Sequence, residues 1–273
     1  MPSLFLRFPG GRAKALTLSY DDGVKSDLRL IEIMQRHGLK GTFNINAGLF
    51  PPEGVPHGRL SREGAYRAYH DSGMEVAVHG YTHPYLEQLS PGTATYEIAR
   101  DREGLESLFG TIIRGAAYPY GTYHDGVVEA LRCCGIVYCR TVVSTEKFDL
   151  PTDWLRLPAT CHHKNPRLME LAKQFLEMPA DRTSKLFYLW GHSYEFDNNH
   201  NWEKIEQFAE YMGGRDNVWH ATNIEIYDYI DAFHRLQFSM DGKRVYNPTN
   251  TTLYFDYAKQ PYHVAPGEQL SLA

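Results

Sequence analysis

The 273-residue chain predicts a parallel α/β fold of the barrel kind, with a short strand-rich appendage at its C-terminal end. Three observations carry this expectation. Short apolar and β-branched runs alternate with helical patterns about seven times before residue 237. Gly or Pro punctuates the changes from one pattern to the next. Beyond Leu236 the helical spacing gives way to short β-rich runs around an Asp241-Gly242 turn. α/β barrels routinely reach this length as one unit, so the expected division is a barrel over residues 1–236 and a small extension over 237–273.

The elements follow in order. Residues 15–19 read as a strand, 25–36 as a helix that stops at His37-Gly38, and 41–45 as the next strand. Residues 61–71 are a helix opened by Ser61, an approximate capping box in which Gly64 stands at the usual Glu position and Glu63 lies beside it. A strand at 74–78, a long helix at 93–109, a strand at 112–117, a helix at 125–134 and a strand at 136–143 continue the alternation. A less regular stretch then holds Asp153-Trp154 and Cys161-His162-His163, and a helix spans 166–177. Residues 185–190 and 218–221 are strands, with helices at 202–211 and 226–236. The extension, with Val245-Tyr246-Asn247-Pro248 and His263-Val264, is expected to act as a lid over the barrel or as an oligomer contact.

Composition narrows the function. The net charge is −5 and no Lys or Arg cluster interrupts the chain, so it lacks the electrostatic footprint for nucleic acid or an anionic membrane surface. The opening Leu4-Phe5-Leu6-Arg7-Phe8 is too short for a secretory apolar region, and no apolar run approaches the ~18 residues of a membrane span. The expectation is a cytoplasmic protein. Cys133, Cys134, Cys139 and Cys161 show no C-x-x-C spacing and read as free, mostly buried thiols.

Three short segments carry the chemistry, each closing an apolar run: Ser19-Tyr20-Asp21-Asp22-Gly23, His79-Gly80-Tyr81-Thr82-His83 and Tyr118-Pro119-Tyr120-Gly121. One carboxylate and two imidazoles form a ligand set for a borderline divalent metal such as zinc, with positions left open for water. A second carboxylate beside them can serve as a base. The blander readings are a pair of hydrogen-bonded core histidines and an Asp helix cap. They fit each segment alone, whereas charges repeated at the ends of buried strands are costly unless paired or bound to metal. Of Asp21 and Asp22, one is expected to ligate and the other to face the substrate water.

Asp-Asp-Gly after an apolar strand, His-x-x-x-His and a Pro-Tyr-Gly turn, in that order, resemble the polysaccharide deacetylase family, the NodB-homology or family 4 carbohydrate esterases. The likeness covers about residues 13–236, and Leu189-Trp190-Gly191-His192 resembles that family's strand-end histidine motif. The resemblance implies a distorted (β/α)7 barrel and a hydrolase that removes acetyl groups from a carbohydrate, an N-acetylated amino-sugar oligosaccharide being the first choice. It implies Asp21 as general base, Asp22, His79 and His83 as metal ligands, Tyr120 as the backbone donor to the oxyanion and His192 as general acid. Zn²⁺ is the first choice of metal, with Co²⁺, Ni²⁺ or Mn²⁺ as alternatives, and water activated by the metal attacks the acyl carbon.

The chain also departs from the family pattern. Ala117 stands where an Arg usually orients the base, so either another cation takes that part, with Arg114 on the same strand and Arg156 as candidates, or the base works without one; Arg156 reads first as a surface residue. Asp153-Trp154 loosely resembles an Asp and Trp motif in which the Asp tunes the acid and the Trp shapes the acetyl pocket. Trp154, Trp190 and Tyr194 are therefore pocket candidates. His162 and His163 are expected to be structural or to support the site, and Glu195 to be solvated or to pin its loop. Three rivals keep related chemistry: an allantoinase-like cyclic amide or imide hydrolase, an O-acetyl xylan esterase, and a non-haem iron oxygenase with two His and one carboxylate.

Overall fold

The computed structural model describes residues 3–179 and 182–272. Strands and helices alternate from β1 (Leu4–Arg7) and β2 (Lys14–Asp21) through α1 (Asp27–Arg36), β3 (Gly41–Ile45), α2 (Arg62–Tyr69), β4 (Glu75–Val78), α3 (Pro91–Phe109) and β5 (Gly115–Ala117). They continue with α4 (Asp125–Cys133), β6 (Tyr138–Ser144), β7 (Leu157–Ala159), β8 (Cys161–His162), α5 (Leu168–Glu177) and β9 (Lys185–Gly191). Then come α6 (Tyr194–Asn198), α7 (Glu203–Met212), β10 (Val218–His220) and α8 (Asn223–His234). The last strands are β11 (Gln237–Phe238), β12 (Arg244–Tyr246), β13 (Leu253–Tyr257), β14 (Gln260–Val264) and β15 (Gln269–Ser271).

The expected α/β barrel is present. Its strands run parallel in the order β7-β6-β5-β4-β3-β2-β9-β8, with β10 added beside β2. Strands β7 and β8 are two halves of one bent segment: β7 pairs with β6 and β8 with β9, so the chain between Leu157 and His162 closes the sheet on itself. Closure brings the carboxyl ends of the strands to one mouth.

Strand β2 shows why the centre reads as it does. All eight of its residues are buried, as a strand packed on both faces requires. Leu16, Leu18 and Tyr20 join the larger core under α1, α2, α3, α4, α5 and α7. Thr17, Ser19 and Asp21 point the other way, into the barrel, where Asn44 bonds Ser19 and Asp21 and Thr17 bonds Asn223.

The bottom of the barrel is plugged by α8. Its amino end meets Thr42 and Glu75 at the starts of β3 and β4, and its apolar side joins Leu186, Tyr188 and the C-terminal strands in a second core. A true capping box opens this helix, with Glu225 N donating to Thr222 Oγ1 and Thr222 N to Glu225 Oε2, so it begins before residue 226. At Ser61 only half of the box exists, the Gly64 N–H to Ser61 Oγ.

The extension lies at this bottom end. Strand β13 pairs with β14 on one side and with β1 on the other, and Arg7 is ion-paired to Asp256 at 2.6 Å. The expectation of a lid is therefore corrected: none of the residues lining the cleft at the mouth comes from 237–272. Among the described residues no helix is long and apolar enough to cross a membrane.

Candidate active site

Asp21, Asp22, His79, His83, Tyr118, Tyr120, Trp190, His192 and Tyr194 line one cleft of about 260 Å³ at the mouth. They come from the carboxyl ends of β2, β4, β5 and β9 and from the loops that follow. Gly121 lets the β5 turn hug the wall, with φ at 75° and a would-be Cβ 2.3 Å from Val142. Gly191 lets β9 pass His163, whose ring would meet a Cβ at 2.1 Å.

Asp21 is buried. Asn44 Nδ2 donates to its Oδ1 at 2.9 Å, and Arg140 Nη2 donates to its Oδ2. Burial pushes the carboxyl upward, but the Arg140 charge, aided by His79 and His192, holds it at about 2. Asp21 is thus a carboxylate at neutral pH.

Neither candidate cation, Arg114 or Arg156, reaches Asp21; Arg140 does. Arg114 pairs with Asp228 at 2.6 Å, and Arg156 pairs with Asp125 and Asp153 at 2.6 and 2.8 Å. The guanidinium on Asp21 comes across the barrel from β6, where Arg140 stands in register with Ala117 of β5. It is fully buried and stacks on Trp190 with its carbon 4.4 Å from the ring centre. The available signal was an Arg inside the apolar run 136–143.

Asp22 turns away from Asp21 because its backbone takes the left-handed region, with φ at 85°. Its Oδ1 lies 3.7 Å from His83 Nε2 and 3.2 Å from Arg59 Nη2, and Arg59 also bonds the Asp22 carbonyl. His79 Nδ1 lies 2.9 Å from the Ala117 carbonyl, which can only accept, so Nδ1 holds the proton and Nε2 keeps its lone pair. Asp22, His79 and His83 each set one ligand atom within 4.8 Å of the others. Burial lowers both imidazole pKa values, that of His83 to about 4, so both rings are neutral. Neutral nitrogens and a carboxylate at this spacing fit a divalent cation.

Helix α3 holds the His-x-x-x-His loop in place. Asp101 accepts from the backbone N–H groups of His79 and Ala47 at 2.8 and 2.6 Å, and Glu97 accepts from the N–H and hydroxyl of Thr82. Asn46 Nδ2 donates to the carbonyls of His79 and Gly80.

His192 points Nε2 at the carboxylates, 3.8 Å from Asp21 Oδ2 and 4.0 Å from Asp22 Oδ2. Burial opposes its charge, yet Glu195, Asp21 and Asp22 outweigh burial and raise its pKa. Glu195, expected to be solvated or to pin its loop, takes the second course, within ion-pair distance of His162, His163, Lys164 and His192. One expectation needs correction. Trp154 does not line the cleft; its ring packs edge-on against Tyr227 at 5.1 Å in the second core, because Asp153 is tied down by Arg156. Outside the cleft lining, exposed Tyr85 stacks on Tyr120 at 3.8 Å between ring centres.

Residues 9–139 match the family model described as polysaccharide deacetylase. No curated protein matches the chain. Among solved structures, a Mycobacterium smegmatis protein provisionally assigned as a polysaccharide deacetylase aligns at 16% identity and a TM-score of 0.62, over 86% of this chain and 96% of that one. The Xyl-CE4 domain of a multidomain xylanase from the hindgut metagenome of Trinervitermes trinervoides aligns at 15% identity and a TM-score of 0.53, over 80% and 92%. A family 4 carbohydrate esterase from Streptomyces lividans, solved with acetate, aligns at 18% identity and a TM-score of 0.48, over 72% and 88%.

Proposed function

We propose that this chain, whose residues 9–139 match the polysaccharide deacetylase family model, is a member of that family and a metal-dependent hydrolase that removes acetyl groups from an N-acetylated amino-sugar oligosaccharide. The observation that carries the reading is one cleft in which a buried, ionised Asp21 adjoins a carboxylate-and-two-imidazole ligand set and a third imidazole.

Asp22, His79 and His83 would hold the cation, Zn²⁺ being the first choice for two nitrogens and one carboxylate. When bound, a divalent cation polarises an acyl carbonyl and acidifies water. The remaining work falls to the chain's own groups. Asp21, ionised and fixed by Arg140 and Asn44, takes a proton from the attacking water. The Tyr120 main-chain N–H, on a turn with φ at 58°, donates to the oxygen that becomes negative, an interaction worth ~3 kcal/mol when well placed. His192 gives its Nε2 proton to the departing amine. The faces of Tyr85 and Tyr120 at the rim suit the apolar face of a sugar ring.

The test is acetate release by metal-stripped protein reloaded with Zn²⁺ or Co²⁺, on acetylated glucosamine oligomers and acetylated xylan, with Asp21→Asn in parallel. Release that needs metal and is lost in Asp21→Asn is expected, with the glucosamine oligomers preferred. Release from xylan alone would move the substrate to O-acetyl esters. No release from either sugar, with one metal bound, would defeat the deacetylase reading in favour of cyclic amides.

A further inference from the structure

A general acid that offers a proton from one imidazole nitrogen needs the other nitrogen fixed. Nε2 of His192 faces Asp21 and Asp22, while Nδ1 is buried and lies 3.7 Å from Glu195 Oε1. Glu195 is three residues further on, in the short helix α6, and its side chain is 13% exposed. The helix is pinned from α1 and its approach, Ser193 bonding Asp27 and Ser26 bonding Asp197. Lys164 Nζ lies 2.6 Å from Glu195 Oε1, and His163 and His162 bring Nε2 to 2.9 and 3.3 Å from Oε2.

The ring of cations and imidazoles has one physical effect on the carboxylate. Burial disfavours its charge, but the surrounding donors hold Glu195 ionised far below the usual carboxylate range. It is therefore a partly buried anion beside Nδ1 of His192.

His162, His163 and Glu195 also have the composition of a metal-ligand set, and their ligand atoms approach within 4.8 Å. Their hydrogen bonding argues otherwise. Lys164 N donates to His162 Nδ1 at 3.0 Å, which leaves the His162 proton on Nε2, the atom that faces Glu195. A cation there would meet that proton and the Lys164 ammonium on the same carboxylate. The cluster is built around an anion.

We propose that Glu195 is the positioning residue of His192: it accepts the Nδ1 proton and so leaves the Nε2 proton directed at the leaving group. The inference rests on the reading of His192 as the acid and supplies what Asp153, tied to Arg156, does not.

The test compares Glu195→Ala, Glu195→Gln and Glu195→Asp on two substrates in the presence of Zn²⁺. On an acetylated glucosamine oligomer, Glu195→Ala and Glu195→Gln should lose about 100-fold in kcat with KM held within about threefold, and Glu195→Asp should recover part of the loss. On 4-nitrophenyl acetate, whose leaving group departs unprotonated, the loss should stay under about fivefold. Equal losses on both substrates, or none on either, would overturn the proposal. A second readout needs no turnover: ¹⁵N-histidine spectra, with His192 assigned by its absence in His192→Ala, should show both nitrogens protonated in the acid form and the proton kept on Nδ1 when the ring is neutral in the wild type, with that Nδ1 preference lost in Glu195→Ala. An unchanged His192 tautomer would overturn the proposal even if the sugar assay works. A wild type that deacetylates nothing yet shows this tautomer shift would sink the deacetylase reading and leave the positioning role standing.

Discussion

Replacing Arg140 with Met removes a charge while keeping most of the side-chain length, and the consequences follow from burial. Arg140 is fully buried and Asp21 is 3% exposed, so the variant strands a carboxylate in the barrel with Asn44 as its remaining neutral donor. Removing one partner of a buried pair costs about 3–5 kcal/mol. The titration points the same way: Asp21 is held at about 2 against an ordinary 3.8, a bias of ~2–3 kcal/mol toward the ionised form at 1.36 kcal/mol per pKa unit. Without Arg140 the upward push of burial has less to oppose it, and the Asp21 pKa rises.

Urea unfolding across pH reads this out. In the wild type the folded pKa is depressed, so the pair's stabilisation is present above the unfolded pKa and fades as pH falls toward about 2. In Arg140→Met the folded pKa is raised, so protonation relieves the variant as pH falls. The destabilisation should therefore be largest at neutral pH and shrink by about pH 4. Asp21→Asn in the Arg140→Met background should recover stability, because no buried charge is left. A cost under about 1 kcal/mol, or one that does not change with pH, would refute the reasoning.

Three further outcomes are expected. The rate profile for acetate release should be bell-shaped, falling at high pH as His192 loses the proton its neighbours help it keep; in His192→Ala that limb should vanish, and a profile of unchanged shape would remove His192 from the role. Asp101→Asn can accept from only one of the two backbone N–H groups that Asp101 now serves, so thermal unfolding should show a loss of about 1–3 kcal/mol. Calorimetric titration of that variant should show Zn²⁺ binding weakened about 10–100-fold, as a loosened ligand loop requires. Tyr85→Ala should raise KM for a sugar oligomer about 2–10-fold, the worth of one aromatic stacking contact, and leave 4-nitrophenyl acetate unaffected; equal effects on both would deny Tyr85 a place in sugar binding.

What local chemistry dictates was legible from the residues alone. Strands buried on both faces announce themselves as apolar runs closed by Gly or Pro, and helices by their spacing, so the α/β barrel was readable from the order of segments. Asp21, Asp22, His79 and His83 were visible because charged groups closing buried strands are unusual wherever the chain goes next. Elements failed where local signals were short: the strand expected over 112–117 contracts to Gly115–Ala117 because Ile112 is exposed, and the 193–198 segment forms a helix pinned from α1.

The tertiary structure decided whatever depends on which strands become neighbours. Arg140 reaches Asp21 because β6 pairs with β5 in a register that sets it beside Ala117, a relation that spacing along the chain does not contain. Glu195 became a partly buried, paired anion because the bent segment Leu157–His162 closes the barrel onto β9 and brings His162, His163 and Lys164 to it from more than thirty positions away. The strand-rich extension was recognisable as such, yet its place at the bottom was set by pairing with β1 at the opposite end of the chain. Sequence encodes which groups carry charge and which runs seek burial; closing the sheet determines which of those groups meet.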